Sequence, residues 1–129
     1  MKWGTDSMKK ELGKRYYELH ANMCKSLANP KRLQILDLLR HGEMSVSKIA
    51  EEMEVREANV SQHLAYMRQK GILSTRRDGV TIYYRLTNPK VMQAYDIMTE
   101  LLFEQILTNA KLVEEIHDQK VELATELVN

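Results

Sequence analysis

The sequence predicts a mainly α-helical fold with one small antiparallel β-hairpin. Three observations predict it. Apolar residues recur at helical spacing over the first seventy or so residues. The period then switches from about 3.6 to 2 around an Asp-Gly pair. Helical spacing resumes after an Asn-Pro pair and continues almost to the last residue.

The first helix is expected over about 5–28, capped by Thr5, Asp6 or Ser7, with a stripe of Met8, Leu12, Tyr16, Leu19, Met23 and Leu27. Asn29-Pro30 reads as a cap followed by proline at the first helical position. The second helix is expected to bury Leu33, Leu36, Leu38 and Leu39 and to end at Gly42. Ser45 can cap a short third helix through Met53, with Val46, Ile49, Ala50 and Met53 inward. After a tight turn at 54–56, a fourth helix runs to about Lys70 on Val60, Leu64 and Met67 and stops at Gly71. Two short helices joined by a turn of three to four residues are a helix-turn-helix candidate.

Residues 72–87 then form the hairpin. Asp78-Gly79 is the turn signal. Ile82, Tyr84 and Leu86 share one face, Thr81, Tyr83 and Arg85 the other, and Arg76-Arg77 make the tip basic. A lone hairpin is marginal in water, so it must lean on the helices as a wing. Asn88-Pro89 repeats the cap-plus-proline signal. The last helix, 89–127, carries Val91, Tyr95, Met98, Leu102, Ile106, Val113, Ile116, Leu123 and Leu127, with Asn109 and Lys120 at missing stripe positions. Unbroken, it would be about 55 Å long. A domain this small cannot cover that length, so the helix breaks near Thr108-Asn109 or a second chain buries it.

A chain of 129 residues, 43% hydrophobic and 29% charged, suits one globular domain over 1–129. No apolar run approaches the ~20 residues that span a bilayer, and residues 1–14 lack the apolar core of a signal peptide. The expectation is a cytoplasmic protein with no membrane partner. One cysteine, Cys24, excludes an intrachain disulfide and a zinc ribbon within one chain. The net charge of +1 is segregated: residues 1–40 and 56–90 each carry +5, while 41–55 carry −3 and 91–129 carry −6. A basic 56–90 stretch favours a nucleic-acid partner through counterion release.

Leu27-Ala28-Asn29-Pro30-Lys31-Arg32-Leu33, Val60-Ser61-Gln62-His63-Leu64 and Tyr83-Tyr84-Arg85-Leu86 occur in this order, with a glycine and a basic hairpin between the last two. From about residue 19 to 107 the chain thereby resembles the ArsR/SmtB family of winged helix-turn-helix repressors. The resemblance implies a homodimer whose interface uses the first and last helices, here through Leu12, Leu19, Met23, Met98, Leu102 and Ile106. It implies an inverted-repeat operator in double-stranded DNA as the partner. Residues 108–129 extend beyond the usual family end.

The chemistry of DNA reading fits these residues independently. A recognition helix presents its N-terminal turns to base edges in the major groove. Those turns offer Arg56, Asn59, Ser61, Gln62 and His63. Gln62 can bond an adenine edge bidentately, and Ser61 can serve base or phosphate. Arg56 cannot accept from helix N–H groups but can reach phosphate. Arg76 and Arg77 suit an adjacent groove or the backbone. Competing readings are local packing for Ser61 and a half-buried structural role for His63.

Many relatives sense metals, so the ligand positions implied by the resemblance matter. One family site reads Glu-Leu-Cys-Val-Cys at the start of the third helix, where this chain has Glu43-Met44-Ser45-Val46-Ser47. Neutral hydroxyls are poor ligands for soft metals. The positions of the second site are Asn88, Lys90, Leu101 and Glu104, and Lys90 puts a cation there. Neither site is expected to work, and no metal or cofactor is expected. His20 and Cys24, four apart, are candidates for a ligand or redox response, with His117 and Asp118 on the partner helix; a small core cysteine is the competing reading. No P-loop, nucleotide-binding glycine motif, nucleophile elbow or catalytic metal motif is present, so an enzyme is not expected. The remaining alternative is a winged helix used only as a protein-interaction module, which would not need Arg56, Gln62, Arg76 and Arg77 together.

Overall fold

The computed structural model describes residues 4–128; residues 1–3 and 129, which the expected domain included, lie outside the described residues. The chain divides into two compact units, residues 1–89 and 90–129.

The first unit contains α1 (Thr5–Leu12), α2 (Lys14–Leu27), α3 (Pro30–Leu39), β1 (Met44–Ser45), α4 (Val46–Met53), α5 (Glu57–Gln69), β2 (Leu73–Asp78) and β3 (Thr81–Leu86). Its helix starts follow cap chemistry. The Asn29 side chain accepts from the backbone N–H groups of Lys31 (3.0 Å) and Arg32 (3.2 Å), with Pro30 at the first helical position. Ser45 Oγ accepts from Lys48 N–H at 3.2 Å and so caps α4. The core is built from Ile35, Leu36 and Leu39 of α3, Ile49, Ala50 and Met53 of α4, Val60, Leu64 and Met67 of α5, and Leu73 and Tyr84 of the sheet.

Several expectations are corrected. The first helix is two helices. Gly13 adopts φ +56° and ψ −133°, which only glycine tolerates readily, and it separates α1 from α2. The N-cap of α1 is Gly4, with no side-chain cap bond, rather than Thr5, Asp6 or Ser7. In α3 Leu36 and Leu39 are buried as expected, but Ile35 is buried with them, while Leu33 is 38% exposed. Leu38 is only half-buried.

The wing is also more than a hairpin. β1 adds a third strand, giving the order β1-β3-β2 with both pairings antiparallel. Met44 pairs with Tyr84 and Ser45 with Tyr83. A two-residue strand is too short to show alternation, so it left no periodic signal. Asp78 pairs with Thr81, which makes Gly79-Val80 the loop, and Gly79 takes φ +63°. Glycine first in a two-residue loop matches the twist of the strands.

The second unit contains α6 (Lys90–Thr108) and α7 (Ala110–Val128). The break falls at Asn109, the first of the two alternatives that the sequence leaves open. The Thr108 hydroxyl donates to Glu104 O at 2.8 Å and competes with the backbone ladder, an interaction that bends helices. The ladder still bridges the break: Asn109 N–H reaches Gln105 O at 3.0 Å, and Asn109 O accepts from Val113 N–H at 3.0 Å. Among the described residues no helix is long and apolar enough to cross a membrane.

Candidate nucleic-acid interface

The turn between α4 and α5 sets how α5 is presented. Glu54 ends α4 in the left-handed region (φ 56°), and Val55 N–H closes back on Ala50 O at 3.1 Å. Arg56 is the exposed N-cap of α5 and makes no side-chain cap bond. Val60, Leu64 and Met67 are fully buried and fix one face of α5. At about 100° per residue, Gln62 projects from the centre of the opposite face, with Asn59 and Ser61 on its two flanks. All three are exposed. Val55, Arg56, Ala58, Asn59 and Gln62 line one shallow surface depression. The structure therefore brings Arg56, Asn59 and Gln62 together.

Two of the expected site residues are held from α3. Lys31 Nζ donates to Asn59 Oδ1 at 3.1 Å. Arg32 Nε donates to His63 Nδ1 at 3.2 Å, and the Arg32 guanidinium lies 3.8 Å from the centre of the Tyr66 ring. His63 is half-buried. Partial burial, then the Arg32 and Lys31 charges, push its pKa below the ordinary value of 6.5. Lys31, Arg32 and Tyr66 were not recognised as site residues from the sequence. The one available signal was that Lys31 and Arg32 follow the Asn29-Pro30 cap, which aims the first turn of α3.

The wing separates its two arginines. Arg77 pairs with Ile82 and so shares the sheet face that carries Leu73 and Tyr84. It is exposed and has no ion pair among the described residues. Arg76 is on the opposite face, pairs with Glu43 through both carboxylate oxygens, and lies over the Tyr83 ring. The Arg76 hydrogen bond holds the Glu43 carboxyl below its ordinary pKa, against the smaller opposing effect of desolvation. Val80 at the tip is 101% exposed.

The expected interface residues Leu19, Met23, Met98 and Leu102 are exposed in the single chain, and Leu12 and Ile106 are half-buried. Cys24 and His20 are exposed on α2, with His20 Nδ1 3.0 Å from the Tyr16 hydroxyl. Ser45, which stands at a thiolate position of the family, spends its hydroxyl on capping α4. Among the described residues no three His, Cys, Asp or Glu side chains gather closely enough to hold a metal.

Residues 29–75 match the family profile described as bacterial regulatory protein, arsR family. The chain is 34% identical to the transcriptional activator HlyU of Vibrio cholerae, over 61% of this chain and 73% of that protein. It is 33% identical to the biofilm growth-associated repressor of Xylella fastidiosa, over 75% of this chain and 84% of that one. Among solved structures it is similar to the homodimeric winged helix-turn-helix DNA-binding domain of Mb0332 from Mycobacterium bovis (TM-score 0.64, 31% identity, 82% of this chain and 94% of that one). A helix-turn-helix with α5 presented as described, a three-stranded wing and these likenesses make one conclusion plain: the chain belongs to the arsR family of bacterial transcriptional regulators.

Proposed function

We propose that this regulator is a homodimeric repressor that reads an inverted-repeat operator with α5 and the wing. The observation that carries the reading is the α5 surface: a helix anchored by three fully buried side chains presents Gln62 between Asn59 and Ser61, with Arg56 at its start. Gln62 is assigned a base edge, Arg56 and Lys31 phosphates, and Arg77 the phosphate backbone or adjacent groove. Asn59 and Ser61 serve base or phosphate from the flanks. Arg76 is assigned a lesser share, because Glu43 must release it first. The chain acts by binding, not catalysis, and works in the cytoplasm, where its relatives' named role as regulators has its substrate.

Gln62→Ala is expected to weaken operator binding by about 1–3 kcal/mol and to relax preference at one base position per half-site. Arg77→Ala is expected to weaken operator and random DNA alike and to lower the salt slope. Footprinting on the protein's own promoter supplies the operator, and fluorescence anisotropy supplies the affinities. Equal losses on operator and random DNA for Gln62→Ala would remove the base-reading assignment.

The releasing signal is unidentified, whether a ligand or none, and is proposed not to be a metal at either family position. Cys24, exposed on α2, is the candidate for oxidant or thiol control, with His20 beside it. Stoichiometric zinc is expected to leave operator affinity unchanged. Peroxide is expected to weaken the wild type and spare Cys24→Ser. Release by zinc would overturn the first statement, and equal peroxide effects on both proteins the second.

A further inference from the structure

We propose that Arg32 is a positioning residue that clamps the recognition helix to the end of α2, and that protonation of His63 opens the clamp. The inference rests on the reading of α5 as the DNA-reading helix and adds its regulation.

Arg32 touches three elements at once. It sits in the first turn of α3, placed there by the Asn29 cap on its own N–H. Its Nη1 donates to Ser26 O in the last turn of α2 at 3.3 Å. Its Nε donates to His63 on α5, and its plane covers the Tyr66 ring, one turn further along the same helix. The α2 end of the clamp is itself fixed. Ser26 is 1% exposed, and its hydroxyl donates to Met23 O at 2.6 Å. Lys31 adds a second tie from α3 to Asn59. The planar guanidinium suits this geometry because it donates in fixed directions and stacks on an aromatic face at the same time. Lysine offers a point charge on a flexible stem and cannot reproduce both contacts.

The protonation state of His63 follows from the donor chemistry. Arginine has no acceptor, so His63 Nδ1 must present a lone pair to Nε. The clamp therefore requires the neutral imidazole with its proton on Nε2. A proton on Nδ1 replaces an acceptor by a donor and sets two cations against each other. The charged groups acting on His63 are Arg32 and Lys31, both on α3 and both cationic, and burial works in the same direction. The neutral form is thus favoured until the pH falls below the ordinary histidine value. The sign is fixed: the clamp is complete above that value and is lost as pH drops through the lowered one.

The clamp lies on the path by which α2 bears on the reading surface. A displacement of the α2 end moves Ser26 O, and through Arg32 it acts on His63 and Tyr66. Side chains on α5 need placement to within fractions of an ångström to keep bidentate base contacts, whereas phosphate contacts tolerate more. Loss of the clamp should therefore cost sequence preference more than total affinity.

The test compares wild type, Arg32→Lys and His63→Gln on operator and random DNA at pH 7.5 and at an acid pH set below the His63 titration midpoint measured by NMR, at constant ionic strength, with folding checked by circular dichroism. Arg32→Lys keeps the charge. It is expected to lower the operator-to-random ratio about tenfold at pH 7.5, to leave random DNA within about twofold, and to raise the His63 pKa towards its ordinary value. Wild type is expected to lose a similar factor between pH 7.5 and the pH at which NMR shows the His63 ring protonated. His63→Gln, whose amide oxygen can accept from Arg32 without titrating, is expected to keep its ratio at both. An unchanged ratio and unchanged ring titration in Arg32→Lys overturn the clamp, and so does an equal acid loss in His63→Gln. If wild type shows no operator preference at pH 7.5, the base-reading assignment fails instead, while the ring titration still decides whether Arg32 holds His63.

Discussion

If the chain assembles as proposed, Leu102→Asp is expected to turn that homodimer into a monomer at micromolar concentration and to abolish tight operator binding. Leu102 is 52% exposed in the single chain, on the same stripe of α6 as Met98 and Ile106. Ile97, Leu101 and Phe103 are exposed beside it. Monomeric proteins rarely leave so many large apolar side chains of one helix in water. Burying them against a second copy contributes about 25 cal/mol per Å² of apolar area. In a two-fold dimer one substitution introduces two carboxylates, and each buried, unpartnered charge costs about 3–5 kcal/mol. Doubled, that outweighs a large part of the about 8–12 kcal/mol that holds a micromolar-to-nanomolar dimer. A monomer reads one half-site, so operator affinity falls with the association. Sedimentation velocity and anisotropy measure the two effects. A wild-type monomer at these concentrations, or a Leu102→Asp protein that remains dimeric and binds as before, would refute the proposed interface.

Much of this molecule was legible because its signals are local. Asn29-Pro30, Ser45 and Gly71 act within three or four residues of where they stand, and they delimit α3, α4 and α5 with little error. The stripe Val60, Leu64 and Met67 belongs to one helix and reports its buried face directly. What was missed depends on partners far along the chain. β1 exists because Met44 and Ser45 meet Tyr84 and Tyr83 about forty residues later. Arg76 is expected from sequence at an adjacent groove or the DNA backbone because nothing near it in sequence announces Glu43. Of the expected DNA contacts, Arg56, Asn59 and Gln62 line one surface depression, and Ser61 is exposed on the far flank of Gln62. His63 is turned towards Arg32, which favours its structural reading. Gly13 is an intermediate case. It stands off an unbroken apolar stripe, so periodicity runs past it, and only the dihedral angles show that it ends a helix.

The core of α3 gives the sharpest test of that distinction between local and long-range information. Its sequence, Pro30 to Leu39, contains four leucines and one isoleucine, and more than one helical face is apolar. Periodicity alone therefore selects Leu33 as readily as Ile35. The fold decides otherwise: Ile35 is 0% exposed and Leu33 is 38% exposed. Ile35→Ala removes three carbons from a site enclosed on all sides, with a cost of about 2–5 kcal/mol from lost transfer energy and the cavity left behind. Domains of this size are stable by about 5–15 kcal/mol, so much of the margin disappears. At roughly 3–5 °C per kcal/mol for this chain length, Tm should fall by about 6–25 °C. Leu33→Ala already shares its site with water and should cost about 1 kcal/mol, or a few degrees. The comparison uses thermal and urea unfolding at one protein concentration, because a dimer's Tm depends on concentration. Equal losses for the two variants would place Leu33 against a second subunit or dispute the burial of Ile35. Cross-linking of the Leu33→Ala protein separates these outcomes, since only the former weakens association.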